Sequence, residues 1–155
     1  MRCRQGITNK GPPGTAETGA YGCISNCGVD VVKGTGASAI KLAYFQGYGM
    51  NRPCHNQDAL QIDTSKYTHI HFGFGTLTPS YEVHVGGRLS SYQFGEFRRI
   101  SDAKKILSFG GWAFLTKPDT YFIFHEGVKA ANHLKIATNI ANFIKEHDLD
   151  GVDID

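Results

Sequence analysis

From residue 39 onward the chain is built of short apolar blocks separated by polar or helical stretches. Ala39-Ile40-Lys41-Leu42-Ala43-Tyr44-Phe45 is rich in apolar and aromatic residues and is closed by Gly47, Gly49 and Pro53, which predicts a strand. A second strand is expected over 67–74 and a third over 105–109, running directly into Gly110-Gly111-Trp112. A fourth covers 151–155, after a polar turn. Between them, 92–100 reads as a short helix despite Gly95, with Phe94, Phe97 and Ile100 on one side. The clearest helical period lies in 130–147, where Ile136, Ile140, Phe143 and Ile144 form an i, i+4, i+7, i+8 stripe flanked by Ala137 and Ala141.

Largely apolar strands separated by helical or long connecting segments indicate parallel β/α units. Four of them in succession resemble the first half of an eight-stranded barrel, the (β/α)8 TIM barrel. A complete barrel takes about 250 residues, so only about the first four β/α units are expected here. The division read from the sequence is a segment over 1–33, a linker over 34–38 and half a barrel over 39–155.

The first segment has a different texture. Its Gly/Pro/Thr-rich stretch, beginning Gly11-Pro12-Pro13-Gly14-Thr15, has neither a helical nor a strand period, and Gly34-Thr35-Gly36-Ala37-Ser38 reads as a joint. Three of the four cysteines, Cys3, Cys23 and Cys27, fall within it, and Cys54 follows later. An even number of cysteines beside a segment with little to bury suggests disulfide staples and an oxidising compartment. Four cysteines permit three pairings, among which spacing does not choose. Zinc is the rival reading, although no compact C-x2-C pair is present. Met1-Arg2-Cys3-Arg4-Gln5-Gly6 carries charge without a following apolar stretch, so no secretory signal is expected in the chain as it stands.

Composition narrows the partners. The 155 residues carry 16 Lys+Arg against 14 Asp+Glu, a net charge of +2 that is too small for the clustered cations nucleic acid demands. No apolar run approaches the ~18–20 residues of a bilayer span, so no membrane partner is expected. With 41% hydrophobic and 19% charged residues, disorder is not the default either.

The chemistry concentrates at strand ends, where β/α barrels form their sites. Side chains alternate along a strand, so Asp153 and Asp155 share one face while Val152 and Ile154 share the other. Two neighbouring carboxylates in a low dielectric are expected to share a proton or to be tightly hydrogen-bonded. Ser108 leads into Gly110 and Gly111, a pair that lets backbone approach a ligand or a neighbouring strand. Trp112 follows, placed either to stack on a sugar ring or to pack in the core. His69 and His71 also share a face, as candidate ligands of a barrel metal hydrolase or as interior histidines bonded to their neighbours. The remaining histidines show no ligand spacing.

Asp150-Gly151-Val152-Asp153-Ile154-Asp155 resembles the D-x-x-D-x-D-x-E signature of family 18 glycoside hydrolases, the chitinases, without its last two positions. Ser108-Phe109-Gly110-Gly111 is similar to that family's S-x-G-G motif on the preceding strand. Lys41-Leu42-Ala43-Tyr44-Phe45, Asn51-Arg52-Pro53-Cys54 and Asp63-Thr64-Ser65-Lys66-Tyr67-Thr68-His69 are similar to the fungal killer-toxin-like subgroup. Gly22-Cys23-Ile24-Ser25-Asn26-Cys27-Gly28 resembles the end of a hevein-type chitin-binding module, which implies a Cys23–Cys27 bridge.

The resemblance implies hydrolysis of β-1,4-linked N-acetylglucosamine, with the substrate's own N-acetyl group as nucleophile and net retention. It implies that Asp155 orients the acetamido group, that Asp153 shares a proton with it, and that Asp150 and Ser108 support the pair by hydrogen bonds. Tyr44, Gly110, Gly111 and Trp112 would contact sugar. Chitin or chito-oligosaccharides are the implied partners, the protein is implied to be secreted, and no cofactor or metal is implied. The general acid would be a glutamate two positions past Asp155, and the 155 residues do not include it, so no turnover is expected of them alone. The alternatives are a non-catalytic chitin-binding, lectin-like protein and a metal-dependent hydrolase using His69 and His71.

Overall fold

The chain divides into two units, Met1–Ser38 and Ala39–Asp155. The computed structural model describes residues 40–54 and 56–155, all within the second unit. The predicted segment over 1–33, its linker, and Cys3, Cys23 and Cys27 lie outside the described residues. Cys54 is disulfide-bonded.

Four strands form one parallel sheet in the order β1, β2, β4, β5: Leu42–Gln46, His69–Leu77, Lys104–Phe109 and Gly151–Ile154. A short strand β3, Val83–His84, turns back antiparallel on the end of β2, pairing Leu77 with Val83. Helix α1, Arg88–Phe97, connects the β2–β3 hairpin to β4. Helices α2, Trp112–Thr116, α3, Tyr121–Gly127, and α4, His133–Glu146, lie between β4 and β5. Neighbouring strands therefore follow one another in the chain with long crossovers between them, the topology of successive β/α units in a barrel.

Alternation along the strands sorts the side chains by face. Phe45, Ile70, Phe72, Leu107 and Phe109 are buried and, with Phe94 and Phe97 of α1 and Ile136 and Ile140 of α4, make the core. Phe72 is its centre: its ring lies 5.2 Å from Phe94 and 5.4 Å from Phe97, tilted or edge-on as aromatic quadrupoles prefer. Of the α4 stripe read from the sequence, Ile136 and Ile140 are buried and Phe143 and Ile144 are half-buried against the core, while the flanking Ala137 and Ala141 are exposed. Helix α1 begins four residues before the expected start, because its polar first turn, Arg88-Leu89-Ser90-Ser91, carries no apolar period. Gly95 is tolerated on a face where an added methyl group would touch nothing.

Beyond β5 the helix-facing side is uncovered among the described residues. Val152 is 45% and Ile154 59% exposed. Val152 borders an open apolar groove of about 830 Å³ with Val128, Ile136, Ile140 and Ile144. β5 pairs with β4 on one edge and has no partner on the other among the described residues.

Two outcomes follow from this packing. Phe72→Ala is expected to cost about 3–5 kcal/mol in urea unfolding; a loss under 1 kcal/mol would show that Phe72 is not central to the core. A polypeptide of residues 1–155 is expected to self-associate through the exposed edge and groove. Light scattering should report species larger than one chain, and Val152→Lys should shift them toward monomer.

Candidate active site

The face opposite the helices is polar because alternation gives it what the core cannot hold. The strand register sets Tyr44 beside His71, and Gly73, Ser108 and Asp153 in one row across β2, β4 and β5. Gly73 brings no side chain to that row. Three groups from three different strands converge on one oxygen of Asp153. Tyr44 donates its hydroxyl to Oδ2 at 2.8 Å and Ser108 donates its own at 2.6 Å. His71 Nδ1 lies 3.3 Å from the same atom. That third contact lacks the alignment of a hydrogen bond, and Nδ1 is buried with no other partner.

These contacts set the electrostatics. Burial pushes the Asp153 carboxyl up, but the Ser108 and Tyr44 hydroxyls and the His71 imidazole outweigh it, so Asp153 ionises below the usual aspartate range. The same bond to Asp153, with burial and the nearby Asp155 charge, raises the Tyr44 phenol and keeps it a donor. Ser108 is fully buried, so its hydroxyl is committed to this carboxylate. Asp155 is exposed, and its backbone N–H donates to Phe109 O at 2.9 Å, continuing the β4–β5 ladder to the strand's end.

Gly110 and Gly111 make their close approach to protein. Both have positive φ, +102° and +79°. A Cβ at Gly110 would stand 2.7 Å from the Asp155 carbonyl oxygen, and one at Gly111 would stand 2.9 Å from the Phe74 ring. Trp112 opens α2 immediately afterwards and is 84% exposed, which excludes core packing for it.

Asp150 is placed differently from the expectation that it hydrogen-bonds the carboxylate pair. It lies immediately before β5, where Oδ1 accepts from Lys104 Nζ at 2.7 Å and Oδ2 from the Lys105 N–H at 2.9 Å. The reason is parity: three residues along a strand reverse the face. Asp150 fastens β5 to β4 instead of joining Asp153. His69 and His71 share a face as expected, but His69 Nδ1 is 2.9 Å from Thr68 Oγ1 while His71 turns to Asp153. Among the described residues no group of three or more His, Cys, Asp or Glu is placed to hold a metal.

The family model for glycosyl hydrolases family 18 matches residues 41–155. The chain belongs to that family. Secreted chitinase LysM12 of Penicillium expansum is 52% identical over 149 residues, spanning 96% of this chain and 10% of that protein. The killer toxin alpha/beta subunits of Kluyveromyces lactis are 32% identical over 155 residues, spanning 99% of this chain and 12% of theirs. The chain thus covers about a tenth of the length of these curated relatives.

Solved family 18 structures share the fold. Catalytic domain 2 of the Ostrinia furnacalis group II chitinase superposes with a TM-score of 0.63 at 16% identity, over 73% of this chain and 30% of that one. Human YKL-39 superposes at 0.62 and 21% identity, over 75% and 32%. The described unit is therefore part of a TIM barrel.

Of the residues on this polar face, sequence reasoning singled out Tyr44, Ser108 and Asp153, and the structure brings these three together. It missed the link from His71 to Asp153. Tyr48 and Phe74, which sequence reasoning did not single out, stack at 6.5 Å, with the Arg52 guanidinium 5.3 Å over Tyr48. Phe74 follows Gly73 at the end of the predicted second strand, and its aromatic character beside a glycine was the available signal.

The Asp150 contacts lead to a pH prediction. Burial raises its carboxyl, but the Lys104 ammonium and the Lys105 N–H prevail and hold it below the usual range. A carboxyl lowered by folding stabilises the protein above its unfolded value, near 3.9. That contribution is lost as pH falls through the lower folded value. Asp150→Ala is expected to cost about 1–2 kcal/mol at pH 7. Most of the gap from the parent should close below about pH 3.9 in acid-series denaturation. A gap that does not change with pH would refute the ionic part of the argument.

Proposed function

We propose that residues 39–155 carry the sugar-orienting half of a chitinase-type site acting on β-1,4-linked N-acetylglucosamine polymers, in a secreted protein. The observation that carries this is the convergence of Tyr44 and Ser108 on Oδ2 of Asp153, with the Asp155 charge near enough to act on Tyr44. In this reading the acetamido carbonyl oxygen of the bound sugar attacks the anomeric carbon, and the bond to the leaving oxygen breaks. The products are an oxazolinium ion and a shortened chain; water then opens the ion with net retention.

Asp155 orients the acetamido group and stabilises the positive charge as it grows. The family pattern has Asp153 share a proton with Asp155; in this reading the Tyr44, Ser108 and His71 contacts keep Asp153 ionised and in place beside it. Trp112 offers an exposed ring just past the end of β4 for stacking on a pyranose. The leaving oxygen needs a proton, and the family pattern puts the acid, a glutamate, two positions beyond Asp155.

A polypeptide of residues 1–155 is expected to release no reducing ends from colloidal chitin over time. One continued past Asp155 by the remaining barrel, with that glutamate, is expected to release them steadily. Replacing the glutamate by glutamine should lower the rate by about 100- to 10,000-fold. Sustained release by residues 1–155 alone would sink the assignment of roles.

The exposure of Trp112 favours a second reading, a sugar-binding protein without turnover. Human YKL-39, with which the fold superposes, is described as a pseudo-chitinase with retained chitooligosaccharide binding properties. Retention on chitin beads should weaken about tenfold in Trp112→Ala if that ring stacks on sugar. Equal retention of both proteins would indicate non-specific adhesion.

A further inference from the structure

His71 is the one buried polar side chain whose ring nitrogen has no hydrogen bond among the described residues. The residue is 7% exposed, which places its ring among protein groups. An orphaned buried donor or acceptor costs about 1–3 kcal/mol, which makes its surroundings informative. The nearest polar atom to account for Nδ1 is Asp153 Oδ2, at 3.3 Å. The Tyr44 ring meets the imidazole edge-on with centroids 4.8 Å apart, which fixes the ring plane from β1. Oδ2 also accepts the Tyr44 and Ser108 hydroxyls, so the imidazole is the third group gathered at that oxygen.

We propose that His71 is a positioning residue for Asp153: its Nδ1–H is a third donor from β2 that holds the carboxylate in place and stabilises its negative charge. The alternative tautomer would set a bare nitrogen lone pair against a carboxylate oxygen, which is repulsive. The charged and titratable groups around the imidazole are few. Tyr44 faces it from β1, and Asp153 and Asp155 stand on the same face of β5. Ser108 brings no charge from β4. His69, two residues earlier on β2, has its Nδ1 beside Thr68, and the Lys104 ammonium is paired with Asp150.

This inference rests on the reading of Asp153 as part of the reacting pair, and adds a residue that neither strand motif contains. Its consequence is that removing His71 leaves burial acting on Asp153 with one fewer compensating group. The carboxyl should then hold its proton to higher pH.

The test is the titration of the Asp153 carboxyl carbon, followed by NMR in the chain of residues 1–155. His71→Leu is expected to move its midpoint up by about 1 pH unit. His71→Asn, whose amide N–H stands near the place of Nδ1–H, should restore most of the difference. Ser108→Ala should also move the midpoint up, which shows that the resonance reports on its donors. An unmoved midpoint in His71→Leu, alongside a moved one in Ser108→Ala, overturns the proposal. If His71→Leu does not fold, the long-range nitrogen–proton spectrum of the unsubstituted chain decides: a proton on Nδ1 supports the clamp, and a neutral ring protonated on Nε2 alone refutes it. Neither readout involves sugar, so failure here leaves the hydrolysis reading intact, and failure of the chitin assay leaves this clamp intact.

Discussion

A slip of one residue between β4 and β5 would turn Asp153 and Asp155 toward the helices and bring Val152 and Ile154 onto the polar face. Every polar contact described for the site presupposes that this slip does not occur. The register is held at both ends of the strand. Asp150 grips Lys104 and Lys105 at the start, and the Asp155 N–H donates to Phe109 O at the finish. Between them Leu107 stands beside Val152 and Ser108 beside Asp153, so one hydrophobic and one polar pair agree on the same alignment. Asp150 thus acts on the site from a distance, by fixing where Asp153 lands.

The same alternation explains how a half-buried carboxylate is tolerated. The helix-facing side takes the aromatic and branched residues, and Phe72 with its ring neighbours gives the sheet a rigid back. The opposite face then holds hydroxyl, imidazole and carboxylate groups that would be costly alone. Converging from β1, β2 and β4, they satisfy Asp153 by contacts that no single strand supplies. A clamp built on three strands is also stiff, since moving Asp153 means moving backbone that is tied into the parallel ladder.

How much of this was legible in the chain depends on whether a property is local. The four parallel strands and α4 were, because period-2 and period-3.6 patterns are written in consecutive residues. The β3 hairpin and the short helices α2 and α3 were not; two to seven residues are too few to show a period. Ser108, Tyr44 and Asp153 were legible through motif resemblance, and their mutual bonding came from register. His71 shows the limit. Its i, i+2 relation to His69 says that both share a face, but nothing about which residue of β5 stands across the sheet. For Asp150 the failure was different, because counting parity from Asp153 would have turned it away from the pair.

The glycine pair after β4 gains a sharper meaning from these distances. Freedom to approach a ligand is one use of such a pair, but here the space a Cβ would need at Gly110 is occupied by the Asp155 carbonyl. At Gly111 it is occupied by the Phe74 ring, which stacks on Tyr48. Positive φ at both residues adds a backbone reason to the steric one. A side chain at Gly110 would therefore displace the end of β5 and carry Asp155 with it, even with no ligand bound. The S-x-G-G motif then works as one device: Ser108 draws the Asp153 carboxylate toward β4, and the missing side chain two residues later lets the β5 backbone come close enough for that bond to form.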